Sequence, residues 1–239
     1  YGTTLGNALR RVLLSSLPGS AVESVKITGV QHEFSTVEGV KEDVVEIILN
    51  LKLLAVKLFV DEPITLSLSK KGKGVITAKD FDKNSDVEIM NEDLVIANVT
   101  ENINFEMEVV VAKGRGYVPV EKKNLKNLDL GTILIDSLYT PIRDVGYRVE
   151  MTRLGDVTDF EKLTLNIETN GTITPREAVG QATKVLMDHF VLVLDSVGDN
   201  SEVPVVEEKV LVEDVKEEIV KEEKPKKRTK KKKEEKIEE

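Results

Sequence analysis

Two hydrophobic periods alternate along the chain. Near the start, Leu5, Ala8, Leu9, Val12, Leu13, Ser16 and Leu17 recur at i, i+3 and i+4, the spacing of one apolar helix face. Thr3 or Thr4 is placed to cap this helix, because a hydroxyl there accepts from an otherwise unpaired first-turn N–H. Pro18-Gly19 ends it. Asn7, Arg10, Arg11 and Ser15 lie off the stripe. Val25, Ile27 and their neighbours up to Val30 read as a strand. Ser35-Thr36-Val37-Glu38 has the capping-box pattern and predicts a second helix. Its inward positions are Val40, Val44, Ile47, Ile48 and Leu51, and its outward ones Lys41, Glu42, Asp43 and Glu46.

From about residue 54 the period falls to two. Ile64–Leu68, Val75–Ala78, Val87–Ile89 and Leu94–Asn98 are short strands between Gly, Asp and Asn punctuation. Ile103, Phe105, Met107, Val109 and Val111 alternate cleanly, as a half-buried strand of a largely antiparallel sheet does. Lys113-Gly114-Arg115-Gly116-Tyr117 predicts a turn. Val145, Tyr147, Val149 and Met151 alternate again, as do Leu163, Leu165 and Ile167, and Asn170-Gly171 turns the chain. Thr174-Pro175-Arg176-Glu177 starts a helix, with a hydroxyl cap, Pro at the first helical position and Glu three residues after the cap. That helix runs to about Val197, presents Ala178, Ala182, Val185, Leu186, His189, Val193 and Val197 on one broad face, and stops at Gly198-Asp199-Asn200.

Composition narrows the chemistry. Among 239 residues there is no Cys and no Trp, and only 4% are aromatic. The core is therefore built from Val, Leu and Ile, and disulfides and Cys-ligated zinc are excluded. The net charge is −9, a poor match for broad phosphate neutralisation, so any DNA contact has to be local. No apolar run approaches the length of a membrane span. The opening Tyr1-Gly2-Thr3-Thr4-Leu5, without Met, reads as a chain entered from upstream. Beyond residue 200 an acidic, Val-containing stretch leads into Lys226-Lys227-Arg228-Thr229-Lys230-Lys231-Lys232-Lys233. It carries too little apolar surface to offset ordering, and 199–239 is expected to be a disordered tail or linker.

No nucleophile elbow, HExxH pair or P-loop occurs. His32 and His189 stand far apart, His189 within the last helix's stripe as a packed or interface residue. Asp129, Asp136, Asp144 and Asp156 are scattered among turns rather than clustered for a metal. No catalytic residue, metal or cofactor is expected. Gly114-Arg115-Gly116 could cradle an anion, although a tight loop between strands is the better reading. The Lys run could hold nucleic acid, although adjacent Glu234, Glu235, Glu238 and Glu239 dilute its field. The two long apolar helices either pack on their own domain or form half of a bundle completed by a second copy.

Four stretches carry a family resemblance. Thr4 to Ser16 (TLGNALRRVLLSS) closely resembles the first-helix signature of the amino-terminal domain of RNA polymerase alpha subunits. Gly29 to Lys52, Lys113 to Pro119 (KGRGYVP) and Glu168 to Glu177 (ETNGTITPRE) are similar to the same family in the same order, and together point to its bacterial form. The resemblance implies an α+β fold. Its discontinuous helix/sheet dimerisation domain would lie at 1–18 and 141–198, with a β-rich domain inserted at 19–140.

The resemblance also implies a scaffold that homodimerises and gathers the beta and beta-prime subunits for DNA-templated transcription in the cytoplasm, associated with the nucleoid. It assigns beta binding first to Arg11, then Arg10, with Glu38, Glu42, Asp43 and Glu46 as further candidates. Leu5, Leu9, Val12, Leu13, Val185, Leu186 and Phe190 are the expected dimer residues. The family's strand ahead of the first helix and its carboxy-terminal DNA-binding domain have no counterpart here, so DNA contact is expected to be indirect or weak. A nucleic-acid-binding module acting through the Lys-rich tail is the alternative.

Overall fold

The computed structural model describes residues 1–123, 129–155 and 157–198. Leu194–Glu239 separate into a second unit, described only to residue 198; the expected tail at 199–239 lies outside the described residues.

The first helix, α1 (Gly2–Ser15), has no side-chain cap of its own, and Thr3 and Thr4 lie inside it. Its start is completed from across the fold, where Glu161 Oε2 accepts from the Gly2 N–H at 2.6 Å. A carboxylate there also complements the positive end of the helix dipole. Strand β1 (Pro18–Ile27) follows almost at once, so Pro18 opens a strand as well as closing a helix.

The second helix, α2 (Val44–Lys52), begins later than the capping-box pattern predicts. Ser35 Oγ donates instead to His32 O at 2.6 Å. Gly39 takes a φ of 79°, a left-handed conformation that no helix continues through. The N–H of Lys41 donates to Asn98 O at 3.0 Å, tying this stretch to a later strand.

Five short or medium strands come next: β2 (Val56–Leu58), β3 (Ile64–Lys71), β4 (Gly74–Thr77), β5 (Val87–Ile89) and β6 (Val95–Val99). They fall on the period-two stretches. The long strand β7 (Asn104–Arg115) runs through Gly114 and Arg115. The predicted turn therefore contracts to Gly116, with φ of 64°, before β8 (Tyr117–Val118). Then come β9 (Thr132–Leu134), β10 (Ser137–Leu138), the paired β11 (Ile142–Leu154) and β12 (Val157–Thr169), and α3 (Pro175–Val197).

The four-stranded sheet has the order β3-β7-β1-β9, antiparallel throughout. Phe105, Met107, Val109 and Val111 of β7 are all buried. They share a large apolar cluster with Val22, Val25 and Ile27 of β1 and with Ile47, Ile48 and Leu51 of α2. A smaller cluster joins Leu13 and Leu17 to Ile142, Val145, Ala178 and Ala182, packing α1, β11 and the start of α3 together. The result is an α+β fold of helices on several antiparallel sheets.

Glycine sets how closely these parts approach. Gly2 and Gly6, one turn apart on α1, face the β11–β12 hairpin. A Cβ on Gly6 would sit 2.7 Å from the Tyr147 ring and 3.0 Å from Leu163, and one on Gly2 would sit 2.8 Å from Val149. The inner face of α1 is thus centred on Gly2, Gly6 and Leu13, while Leu5 stays exposed. The apolar stripe read from sequence is rotated relative to the buried one.

Where the chain passes between the two clusters, Gly19 of β1 pairs with Gly114 of β7, and Tyr139 lies on that pair. A Cβ on Gly114 would meet the Tyr139 ring at 2.7 Å, and one on Gly19 would meet the Tyr139 carbonyl oxygen at 1.9 Å. Backbone cannot yield as a side-chain end can. Gly19→Ala is therefore expected to lower stability by about 3 kcal/mol, at the upper end of ordinary overpacking costs. Urea unfolding followed by circular dichroism checks this; a midpoint equal to that of the unaltered chain would show that the contact is not a constraint.

Candidate functional site

Helix α3 begins as its sequence dictates. Thr174 Oγ1 accepts from the Glu177 N–H at 3.3 Å, and the Glu177 carboxylate accepts from the Thr174 N–H at 3.1 Å and its hydroxyl at 2.7 Å. Ala178 and Ala182 then bury against α1 and β11. Beyond them the helix loses its cover. Val185 and Leu186 are half-buried, whereas Met187, Phe190, Val191, Leu192 and Val193 are exposed, Phe190 to 63%. So many large apolar side chains in water along consecutive turns mark an interaction surface. His189, expected as a packed or interface residue, is exposed with them.

Beside this helix lies an open groove of about 540 Å³, lined by Thr3, Thr4, Asn7, Ala8, Arg11 and Val12 of α1 and by Leu186 of α3. Arg11 is exposed and makes no ion pair among the described residues. A guanidinium so placed keeps its planar fork of donors for a partner's carboxylate or carbonyl. Arg10 differs, since its Nε donates to Val145 O at 2.9 Å, which fastens α1 to β11.

The structure brings Arg11, Val12 and Leu186 together and leaves Leu5 and Phe190 exposed, with Leu9 half-buried. It corrects Leu13, which is fully buried within the chain's own smaller cluster and has no surface left to offer a second copy. Its position in the stripe could not separate it from its neighbours. The inward glycines, whose small size a hydrophobic pattern ignores, were the signal that could have done so.

The acidic candidates divide likewise. Glu38, Asp43 and Glu46 are exposed. Glu42, expected to point outward, is buried: its carboxylate accepts from the Asn98 backbone N–H at 2.6 Å and from Asn98 Nδ2 at 2.5 Å. It joins the entry of α2 to β6, a structural contact that the helical wheel hid because Glu42 precedes the helix. Burial pushes this carboxyl up, but the two Asn98 hydrogen bonds, helped by Lys41, outweigh it and hold it below the ordinary glutamate range.

Gly114 and Arg115 lie in the β1–β7 ladder rather than in a tight turn. Among the described residues no group of three or more His, Asp or Glu is placed to hold a metal ion, and no helix is long and apolar enough to cross a membrane. Asp156 lies outside the described residues.

An exposed apolar helix thus lies beside a groove that holds Arg11, and relatives supply the context. Residues 25–140 match the RNA polymerase Rpb3/RpoA insert domain, which places the chain among subunits of that class of polymerase. The DNA-directed RNA polymerase subunit alpha of Macrococcus caseolyticus is 48% identical over 209 residues, 87% of this chain and 67% of the relative. The subunit of the same name from Alkaliphilus oremlandii is 50% identical over 202 residues, covering 83% and 64%. That from Symbiobacterium thermophilum is 50% identical over 209 residues, covering 87% and 66%. The chain belongs to the family of bacterial DNA-directed RNA polymerase alpha subunits. It spans about two thirds of the length of the curated relatives it matches.

The Glu42 contact carries a pH signature. A carboxyl with a lowered folded-state pKa stabilises the fold above its unfolded pKa and loses that contribution as pH falls through the folded value. Glu42→Gln is expected to cost roughly 1–3 kcal/mol at about pH 7. The gap should shrink once pH drops below the ordinary glutamate value of 4.5. Paired urea melts at neutral pH and near pH ~3.5 measure it; a gap independent of pH would show that the charge of Glu42 contributes nothing.

Proposed function

We propose that this chain is a scaffold within a DNA-directed RNA polymerase. It homodimerises, then gathers the beta and beta-prime subunits while contributing no catalytic group of its own. The observation that carries the reading is the uncovered apolar half of α3 beside the groove that holds Arg11. Family membership supplies the kind of assembly, since the relatives bear the name of the alpha subunit.

Residues 1–18 and 141–198 act as the dimerisation part, and 19–140 as an insert. Leu5, Leu9, Val12, Val185, Leu186 and Phe190 meet the second copy, whose own α1 and α3 cover the same face in return, as two-fold symmetry requires. Arg11 leads the contact with beta, and Glu38, Asp43 and Glu46 form an exposed acidic fringe that suits a basic partner. Contact with DNA is indirect or weak, and the complex works in the cytoplasm on the nucleoid.

Phe190 is exposed in the single chain, so its loss should spare the fold and weaken the dimer. Phe190→Ala is expected to raise the dimer dissociation constant about 30-fold, roughly 2 kcal/mol, in a dilution series followed by light scattering. An unchanged dissociation constant would remove Phe190 from the interface.

Arg11→Ala should leave the dimer intact and abolish the species of two copies plus one beta subunit, measured by light scattering after gel filtration. Retention of that species would refute the role given to Arg11. A chain that stays monomeric and ignores beta would overturn the scaffold reading itself.

A further inference from the structure

Residues Tyr117–Lys123, comprising β8 and a short 3-10 turn at Val120–Lys122, form a strap laid against β1 and β10. None of its side chains is fully buried. Its attachments are polar instead. Tyr117 and Val118 pair with Leu138 and Ser137, the Tyr139 N–H donates to Gly116 O at 2.9 Å, and the Val120 N–H donates to Asp136 Oδ1 at 3.0 Å. The far end is closed by one amine. Lys123 Nζ donates to Glu23 O at 3.0 Å, to Ser137 Oγ at 2.6 Å and to Ile135 O.

That amine answers a specific need. The β1–β7 register shifts between Val22 and Ser24, leaving Glu23 as the extra residue of a bulge, and bulges leave backbone groups without ladder partners. Lys123 and the Ile135 N–H take the Glu23 carbonyl, and Ser137 Oγ donates to the Val22 carbonyl at 2.6 Å. Burial lowers the pKa of the amine although Glu23 and Asp136 lie near it. The closed position therefore carries a desolvation cost that opposes its hydrogen bonds.

Asp136 links this closure to a distant element. While Oδ1 holds the strap, Oδ2 accepts from Lys52 Nζ at 3.2 Å, and Lys52 is the last residue of α2.

We propose that the strap is a latch that opens as a unit while the sheet stays folded, with Lys123 closing it and Asp136 coupling it to Lys52. Segments held by few apolar contacts open at a fraction of the global unfolding free energy. Because one carboxylate serves both sides, an anionic group that binds Lys52 and the closure of the strap shift each other's equilibrium reciprocally.

The test is amide hydrogen exchange on the full chain, read at Val120, Lys122 and Tyr139 for the strap and at Val109 and Val111 for the sheet. Lys123→Met is expected to speed strap exchange about tenfold or more and leave the sheet unchanged, with Lys123→Arg restoring protection. Unchanged strap exchange would overturn the proposal, and so would an equal rise in both sets, which would make Lys123 a brace of the whole core. The unaltered chain gives a second reading should Lys123→Met fail to fold. Strap exchange that ignores low urea supports the latch, because local opening exposes little surface, whereas strap amides that follow the same urea dependence as β7 refute it.

Discussion

Everything in this fold turns on the place where Tyr139 lies across the paired glycines Gly19 and Gly114. Those residues belong to the strand that leaves α1, the strand that returns from the far end of the sheet, and the segment leading into the β11–β12 hairpin. A side chain on Gly19 would push against the Tyr139 backbone, and one on Gly114 against the Tyr139 ring. The close approach also lets the Tyr139 hydroxyl donate to the Glu23 carboxylate at 2.5 Å, so the same ring reaches the bulge of β1. The two apolar clusters are thus joined by a contact that depends on the absence of side chains. Such contacts are unforgiving because tightly packed interiors have no slack to redistribute.

The longer alternating strands, and the start and extent of α3, were legible in the sequence because local signals and tertiary packing agree there, whereas the short β8, β9 and β10 carry too few residues to show a period. The alternation from Phe105 to Val111 becomes the buried face of β7, and Thr174-Pro175-Arg176-Glu177 becomes a working capping box. The second helix misled for the opposite reason. Ser35 to Glu38 has the right residue types, but Gly39 and the hydrogen bonds of its neighbours to β6 hold the chain in another conformation. A local propensity of about 1 kcal/mol loses to several tertiary hydrogen bonds acting together.

The surface was legible in outline only. Helical spacing marks Leu5 through Leu17 as amphipathic, yet it cannot say which arc meets the chain's own hairpin. That choice is made by Gly2 and Gly6, residues a hydrophobic pattern leaves unweighted. Once the glycines turn inward, Leu13 follows them into the core, while Leu5 remains outside and Arg11 lines the groove. Glu42 shows the same limit for charge, since a formal negative charge in sequence carries no record of the two donors on Asn98 that wait for it.

Tyr139 has a consequence of another kind. The chain contains no Trp and four Tyr, so its near-ultraviolet signal is dominated by very few chromophores. Burial and the hydrogen bond to Glu23 push the Tyr139 phenol well above its ordinary ionisation range. The absorbance change that marks phenolate formation is therefore expected to arrive late for this one ring. The molecule carries an optical gauge between its two apolar clusters, readable without a label.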